Sequence, residues 1–95
     1  MASDFQMFFH RTKDSLHLKL DGDFDVYSAH LLLCAIKEHG TGFYQIFIDT
    51  NDLKTIYPRG RSVFQQNLGS LGKNASNLIF IGDNEYKISA DWRPV

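Results

Sequence analysis

The chain has 95 residues, which corresponds to one domain near the lower end of the size that builds a core without disulfides or metals. Hydrophobic residues make up 43% of the chain and aromatic residues 14%, too many for a disordered segment. Lysine and arginine total 10 and aspartate and glutamate 11, so the formal net charge is -1. That balance provides no general positive field for nucleic acid or an acidic membrane surface.

Cysteine content and hydropathy indicate the compartment. The single cysteine excludes an intramolecular disulfide framework and fits a reducing environment. The longest wholly apolar run is Leu31 to Ile36, far shorter than the roughly 20 residues that cross a bilayer. The first residues lack the basic and apolar regions of a signal peptide. We therefore expect a cytoplasmic protein without membrane insertion.

Two strands are predicted at the start of the chain. Residues 5–10 carry an apolar side chain at every second position: Phe5, Met7 and Phe9. Residues 11–15 are polar and suit a hairpin turn. Residues 16–20 alternate leucine with histidine or lysine, which is typical of a half-buried strand. The two strands should pair antiparallel, with one face exposed to solvent.

A helix is predicted from Val26 to His39. Asp25 precedes it and is the expected N-cap, since its carboxylate can accept a hydrogen bond from a backbone N–H of the first turn. Gly40 is expected in the left-handed conformation that ends many helices. An apolar stripe at helical spacing should face the core: Val26, Ala29, Leu33 and Ile36.

The opposite side of this helix is also apolar. On a helical wheel Leu31 lies nearly opposite the predicted core stripe, with Cys34 and Ala35 beside it. A helix covering a sheet should be polar there. Two interpretations stay open: either the C-terminal tail with Trp92 covers this face, or Leu31 and Cys34 form an apolar partner surface. A homo-oligomer through Leu31 is a further alternative.

Two buried strands and a second helix follow. Tyr44 to Asp49 and Leu78 to Ile81 contain consecutive apolar residues, as expected for strands covered on both faces. Arg59 to Leu71 is predicted to be a helix, with Pro58 at its first position. Gly60 should permit close approach to the sheet. One face of the helix combines Gly60, Phe64, Leu68 and Leu71.

The element order β-β-α-β-α-β predicts an α/β fold with a mixed sheet of about four strands covered by helices. We expect a single small domain over residues 1–95, with a core at about 5–82 and a short tail, residues 83–95. Pro94 disfavours a helical end to the tail. Lys87 to Ala90 is either a short strand or packed coil.

Residues 22–29, at the entry to the first predicted helix, read Gly-Asp-Phe-Asp-Val-Tyr-Ser-Ala. They resemble the Gly-x-hydrophobic-Asp-x-x-Ser/Thr-Ala segment between second strand and first helix in the STAS (sulfate transporter and anti-sigma factor antagonist) family. Residues 46–49, Ile-Phe-Ile-Asp, resemble the strand before its regulatory loop, and residues 52–56 match the spacing of apolar anchors there. Residues 77–82 resemble its fourth core strand. The resemblance covers roughly residues 5–82 and implies the STAS fold.

In that family a serine or threonine at the start of the second helix, usually within Asp-Ser-Ser/Thr-Gly, is phosphorylated by a partner kinase, which breaks the complex. The residues aligned with this switch are Tyr57, Pro58, Arg59 and Gly60. The glycine is retained and the hydroxyls are replaced, so phosphorylation at the usual position is impossible. Ser62 is the nearest remaining serine, either an exposed polar helix residue or a substitute acceptor.

Basic residues surround this helix start. Arg59 and Arg61, with Lys54 nearby, replace a potentially negative site by a positive one. Because free N–H groups and the helix dipole favour anions, these side chains and Ser62 are candidates for contact with an acidic partner or an anion. A solvated helix end is the alternative.

No group of residues predicts catalysis or a metal site. Residues 21–25 carry carboxylates at the first, third and fifth positions of an EF-hand loop, but Val26 and Leu32 occupy the positions that need glycine and glutamate. The four histidines form no paired ligand motif, and Cys34 has no partner typical of a nucleophile. We therefore expect no enzyme activity, no cofactor and no metal.

The predicted function is that of a non-enzymatic STAS-like module that binds a protein partner and no nucleic acid. The resemblance implies a bacterial signalling role, with an anti-sigma kinase-like protein or a transporter or signalling complex as partner, but without the usual phosphorylatable hydroxyl. The alternatives are a small-ligand or nucleotide sensor at Arg59 to Arg61 and an accessory subunit of a transporter complex.

Overall fold

The computed structural model describes residues 4–82, apart from the side chain of Lys73. Its elements are β1 (Gln6–Arg11), β2 (Ser15–Phe24), α1 (Val26–His39), β3 (Gln45–Ile56), α2 (Pro58–Gln66), a 3₁₀ segment (Leu68–Asn77) and β4 (Leu78–Ile81). This order confirms the predicted β-β-α-β-α-β succession. The tail predictions, including a strand or coil at Lys87 to Ala90 and Trp92 as a cover for α1, lie outside the described residues.

The four strands form one mixed sheet in the order β1-β2-β3-β4. β1 pairs antiparallel with β2, whereas β2 with β3 and β3 with β4 pair parallel. Leu18 lies between Phe9 of β1 and Ile48 of β3 in this register. Each parallel pair is joined through helical structure, as parallel connections require. The predicted α/β architecture with a mixed sheet is confirmed.

The core lies between one face of the sheet and the two helices. The leucines predicted at alternate positions of β2 are fully buried, together with Ile46 and Ile48 of β3. Burying one such side chain stabilises the fold by roughly 1.5–3 kcal/mol. The helical side of the core is built from Ala29, Leu32, Leu33, Ala35, Ile36, Phe64, Leu68 and Leu71.

Helix α1 begins at its aspartate cap. The Oδ1 atom of Asp25 accepts hydrogen bonds from the Ser28 backbone N–H at 2.9 Å and from Ser28 Oγ at 2.9 Å. The prediction that Val26 faces the core is wrong, since this side chain is 37% exposed. Val26 directly follows the cap at the edge of the sheet, and the buried stripe begins a few residues later.

The end of α1 differs from the prediction at Gly40. Its backbone is right-handed (φ -82°, ψ -17°), and its N–H donates to the Ile36 carbonyl at 2.9 Å. A Cβ at this position would lie 2.5 Å from that carbonyl oxygen and 2.8 Å from Cδ1 of Ile46. A glycine is favoured there because of close contact with the Ile36 carbonyl and then with the Ile46 side chain, not because of a left-handed turn.

Helix α2 starts at Pro58, as predicted, but it ends at Gln66 instead of continuing to Leu71. The side chain of Asn67 donates to the Val63 carbonyl at 2.8 Å and helps to end the helix. A 3₁₀ segment follows, interrupted at Gly72 with a positive φ of 60°. Leu68 and Leu71 are still buried, so the apolar spacing correctly predicted burial but not helix type.

Strand β3 extends to Ile56, well beyond the predicted end at Asp49. Its second half continues to pair with β2, across two register shifts, whereas β4 stops opposite Asp49. Among residues 4–82 this half therefore pairs with a strand on one side only, and its polar residues conceal the strand in the sequence. Lys19 and Asp52 bridge β2 and β3 with a 3.0 Å ion pair.

Candidate functional site

Helices α1 and α2 begin side by side at one edge of the sheet. Because β2 and β3 are parallel neighbours, the helices that follow them start at the same edge. The Tyr57 N–H donates to the carbonyl of Phe24, the last residue of β2, at 2.9 Å. The starts of the two helices are thus tied together through the last residue of a strand.

Gly60 determines how closely the two helix starts approach. It is buried, and a Cβ built on it would lie 2.6–2.8 Å from the Cα, carbonyl carbon and carbonyl oxygen of Asp25. The prediction that Gly60 permits approach to the sheet is therefore wrong. It permits approach to the cap of α1, because the three atoms nearest to such a Cβ all belong to the Asp25 backbone.

A cleft of about 440 Å³ lies between the helix starts. Tyr27 is 62% exposed and Tyr57 46% exposed, so both present aromatic surface to solvent. The cleft is lined by Asp25, Val26, Tyr27, Tyr57, Pro58 and Arg59, which we call the helix-start cleft. It combines apolar and aromatic surface with one exposed cation.

Local sequence explains how these side chains come to line the cleft. The Asp25 carboxylate is engaged at the α1 cap, and Val26 and Tyr27 occupy the first helical positions after it. Tyr57 is the N-cap of α2, with an extended backbone and no cap hydrogen bond from its side chain. Pro58 then takes the first helical position, where a missing N–H costs little.

The sequence-predicted site residues are only partly brought together. Tyr57, Pro58 and Arg59 of the degenerate switch line the helix-start cleft, and Gly60 packs behind them. Of the four residues proposed for partner or anion contact, Arg59 lines the cleft. The other three lie elsewhere on the surface, with Lys54 and Ser62 exposed and Arg61 half-buried.

The second predicted surface, on the outer side of α1, is smaller than expected. Leu31 is half-buried and Cys34 is exposed. Ala35, which was predicted beside them, is 5% exposed and belongs to the core. The prediction that Ala35 lies on the outer side is wrong, because the buried side of α1 is wider than the apolar stripe that was predicted from helical spacing.

Val26 and Tyr27 are the cleft residues that sequence reasoning missed. Val26 was assigned to the core, and Tyr27 was given no role. The Asp25 cap indicates their position, because side chains in the first turn after an N-cap lie at the end of the helix, where they can contact solvent or a partner.

Within residues 4–82, no group of three or more potential ligands is placed to hold a metal ion. In the same range none of the helices combines the length and the apolar character needed to span a bilayer.

Comparison with known proteins gives matches among solved structures only. The sequence matches no family model and no curated protein. The structure is similar to the crystal structure of Mglu, with a TM-score of 0.68 and 20% identity over 80% of this chain. The chain spans only 19% of the length of that protein.

Two further solved structures match most of their own length. One is the STAS domain of an anti-sigma factor antagonist from Rhodobacter sphaeroides, with a TM-score of 0.63, 13% identity, and coverage of 85% of this chain and 89% of that one. The other is an uncharacterized DUF3478 family protein with a SpoIIAA-like fold from Shewanella loihica PV-4, with a TM-score of 0.60, 17% identity, and coverage of 92% and 75%. The chain therefore has a STAS-like fold.

Proposed function

We propose that the chain is a non-enzymatic, cytoplasmic STAS-like module that binds an acidic surface of a protein partner through the helix-start cleft. The observation that carries this proposal is the pair of exposed tyrosines, 62% and 46% exposed, beside Arg59. Tyrosine and arginine are enriched among the residues that dominate protein interfaces. The dipoles of two helix N-termini add positive potential at the same place.

The side chains of the cleft suit binding better than catalysis. Among the described residues that line the cleft, Asp25 is the only carboxylate, and its Oδ1 atom already accepts two hydrogen bonds from Ser28. A general base needs a free acceptor within reach of a substrate proton. Arg59 and the tyrosines supply contact area and charge, which supports recognition of a protein surface.

The proposed module binds without the family's familiar phosphate switch. Pro58 and Arg59 occupy the positions of the hydroxyls, while Ser62 is exposed one turn further along and does not line the cleft. We expect incubation with a candidate partner kinase and ATP to leave the protein unmodified by mass spectrometry. Stoichiometric phosphate on Ser62 would contradict this part of the proposal.

Affinity capture with matched variants tests the binding surface. We expect Tyr27→Ser combined with Tyr57→Ser to lose a partner retained by the wild-type chain, because about 1–2 kcal/mol is lost for each anchor that is truncated. Arg59→Glu should weaken the same complex more than Arg59→Lys. Leu31→Ser on the other surface is the control and should retain the partner. Retention by both cleft variants, or loss in the control alone, would refute the assignment to this cleft.

A small-ligand or nucleotide sensor is the second candidate, favoured by the cleft volume of about 440 Å³. That volume lies within the roughly 300–1,000 Å³ range of small-molecule sites, and an arginine beside tyrosines can contact a phosphate and a base. An NMR titration with ATP, ADP, GTP and GDP that monitors the amide signals of residues 56–62 distinguishes the sensor from the protein-binding module. Saturable shifts would favour the sensor, whereas unchanged signals are expected for the protein-binding module.

A further inference from the structure

A second pocket, which we call the strand-start pocket, lies at the edge of the sheet opposite the helix-start cleft. Its volume is about 520 Å³, within the roughly 300–1,000 Å³ range of small-molecule sites. It is lined by residues 41–44, which lead into β3, and by Leu71, Asn74 and Asn77 of the 3₁₀ segment, which leads into β4. Because β3 and β4 are parallel and both begin at this edge, the sheet topology makes the two lining segments neighbours.

Hydrogen bonds of the backbone hold the loop side of this pocket in place. The N–H of Phe43 donates to the carbonyl of Gly40, the C-cap of α1, at 3.2 Å. Gly42 lies between these two residues with a positive φ of 94°, which allows the chain to turn there. The N–H of Tyr44 donates to the Asp14 carbonyl in the β1–β2 hairpin at 3.2 Å. Contacts within the chain therefore fix this wall of the pocket.

Two asparagines of the 3₁₀ segment present amide groups whose orientation is determined by their partners. The side-chain N–H of Asn74 donates to the Ile36 carbonyl at 3.3 Å, and that of Asn77 donates to the Phe43 carbonyl at 3.2 Å. A carbonyl oxygen can only accept, so each amide must turn its NH₂ group toward it. Within the described part of residues 4–82, neither Oδ1 atom accepts a hydrogen bond. Both side chains are half-buried, so each amide keeps an acceptor and a second N–H for a ligand.

Apolar and aromatic surface completes the pocket. Leu71 is buried, and Phe43 is half-buried against the same hydrophobic core, which holds both side chains in place. Tyr44 is 78% exposed, so most of its ring surface is open to solvent. Thr41 adds a hydroxyl group. None of the described lining side chains is charged, and they therefore offer no cation to attract an anion and no carboxylate, histidine or cysteine to bind a metal ion.

A neutral compound with several hydroxyl groups matches these properties. A hydroxyl group both donates and accepts, so neighbouring hydroxyls can pair with the Oδ1 atom and the remaining N–H of one amide. The C–H groups on the face of a sugar ring can meet the negative face of an aromatic ring. We propose that the strand-start pocket binds a neutral sugar or a related polyol, with Asn74 and Asn77 holding its hydroxyl groups and Tyr44 contacting one face of its ring. The site is separate from the helix-start cleft, so it does not depend on the proposed function.

An NMR titration of the isotope-labelled full chain tests this site. The probes are D-glucose, D-galactose, D-mannose, N-acetyl-D-glucosamine, maltose and myo-inositol, with sodium phosphate as the charged control. We expect at least one probe to give saturable shifts in the side-chain amide signals of Asn74 and Asn77 and in the backbone amides of residues 41–44. The amides of residues 56–62, which report on the helix-start cleft, should not shift. Absence of saturable shifts with every sugar and polyol would overturn the proposal, as would a stronger response to phosphate or shifts confined to residues 56–62.

Matched variants identify the contacts with the sugar that responds. Tyr44→Ala removes a largely exposed ring and should weaken binding by roughly tenfold. Asn77→Ala should weaken it by a similar factor, and Asn74→Ala replaces this variant if circular dichroism shows that it fails to fold. Phe8→Ala is the control, because Phe8 is also a large exposed aromatic residue, at 50%, but does not line the pocket. Wild-type affinity in both Tyr44→Ala and the folded asparagine variant would overturn the proposal, and so would an equal loss in Phe8→Ala.

Discussion

The close approach of the two helix starts at Gly60 makes a quantitative prediction for Gly60→Ala. In open space, alanine would stabilise a helix by up to about 1 kcal/mol relative to glycine. Here the added Cβ would lie 2.6–2.8 Å from three backbone atoms of Asp25, which cannot rotate away as a side chain would. Overpacking of this kind costs about 1–3 kcal/mol and can cost more when backbone must move. We expect a net loss of about 1–3 kcal/mol, a large fraction of the roughly 5–15 kcal/mol that stabilises a typical domain.

Urea unfolding followed by circular dichroism measures this loss, and Gly69→Ala provides the matched control. A Cβ at Gly69 would have no atom within 4 Å, and its backbone is not in the left-handed region. This variant should therefore be neutral or slightly more stable than the wild type. Equal stability of Gly60→Ala and Gly69→Ala would refute the inference that close contact between the α1 cap and α2 requires glycine.

Three further predictions concern hydrogen bonds and charge. Asp25→Ala should cost about 1–2 kcal/mol in urea unfolding, because the α1 cap is lost, and Asp25→Ser should recover much of it; an unchanged midpoint would argue against the cap. Thr50→Val should cost about 1–3 kcal/mol by the same measurement, since the fully buried hydroxyl donates to the Ile81 carbonyl at 2.9 Å; wild-type stability would contradict this. The hydrogen bond and charge of Asp52 raise the pKa of Lys19, so the pair's contribution is present at neutral pH and is lost as alkaline pH deprotonates Lys19. Asp52→Asn should lower that pKa in an NMR titration of Lys19, and an unchanged titration would exclude the pair in solution.

Segments with strong hydrophobic periodicity could be predicted from the sequence. Alternating leucines predicted the buried face of β2, and consecutive apolar residues predicted the first half of β3 and all of β4. These patterns are reliable because the same burial that stabilises a strand restricts which side chains it can carry. The order of elements then predicted the mixed sheet, since helical connections favour parallel strands.

Features that depend on neighbours distant in sequence could not be predicted in the same way. Residues 50–56 belong to a strand because β2 lies beside them, although their polar composition is typical of a loop. A Cβ at Gly40 would contact Ile46 of the next strand in addition to the Ile36 carbonyl, and a local rule for helix ends does not include that contact with β3. The length of α2 likewise depends on whether Asn67 and Gly72 interrupt the helix. The spacing of apolar residues is the same in either case, so it does not predict where α2 ends.

The candidate site combines a predictable part with an unpredictable one. Parallel pairing of β2 and β3 already requires α1 and α2 to begin at the same edge, so the neighbourhood of Asp25 and Tyr57 followed from topology. The distance between the helix starts could not be predicted from topology, because it depends on a backbone contact that only glycine permits at position 60. Any side chain there would separate the helices and move Tyr57 away from Tyr27. The chain thus retains the residue that shapes the cleft, while Pro58 and Arg59 occupy the positions at which the family it resembles carries phosphorylatable hydroxyls. This combination supports our proposal of a binding surface that is permanently available and is not switched by phosphorylation.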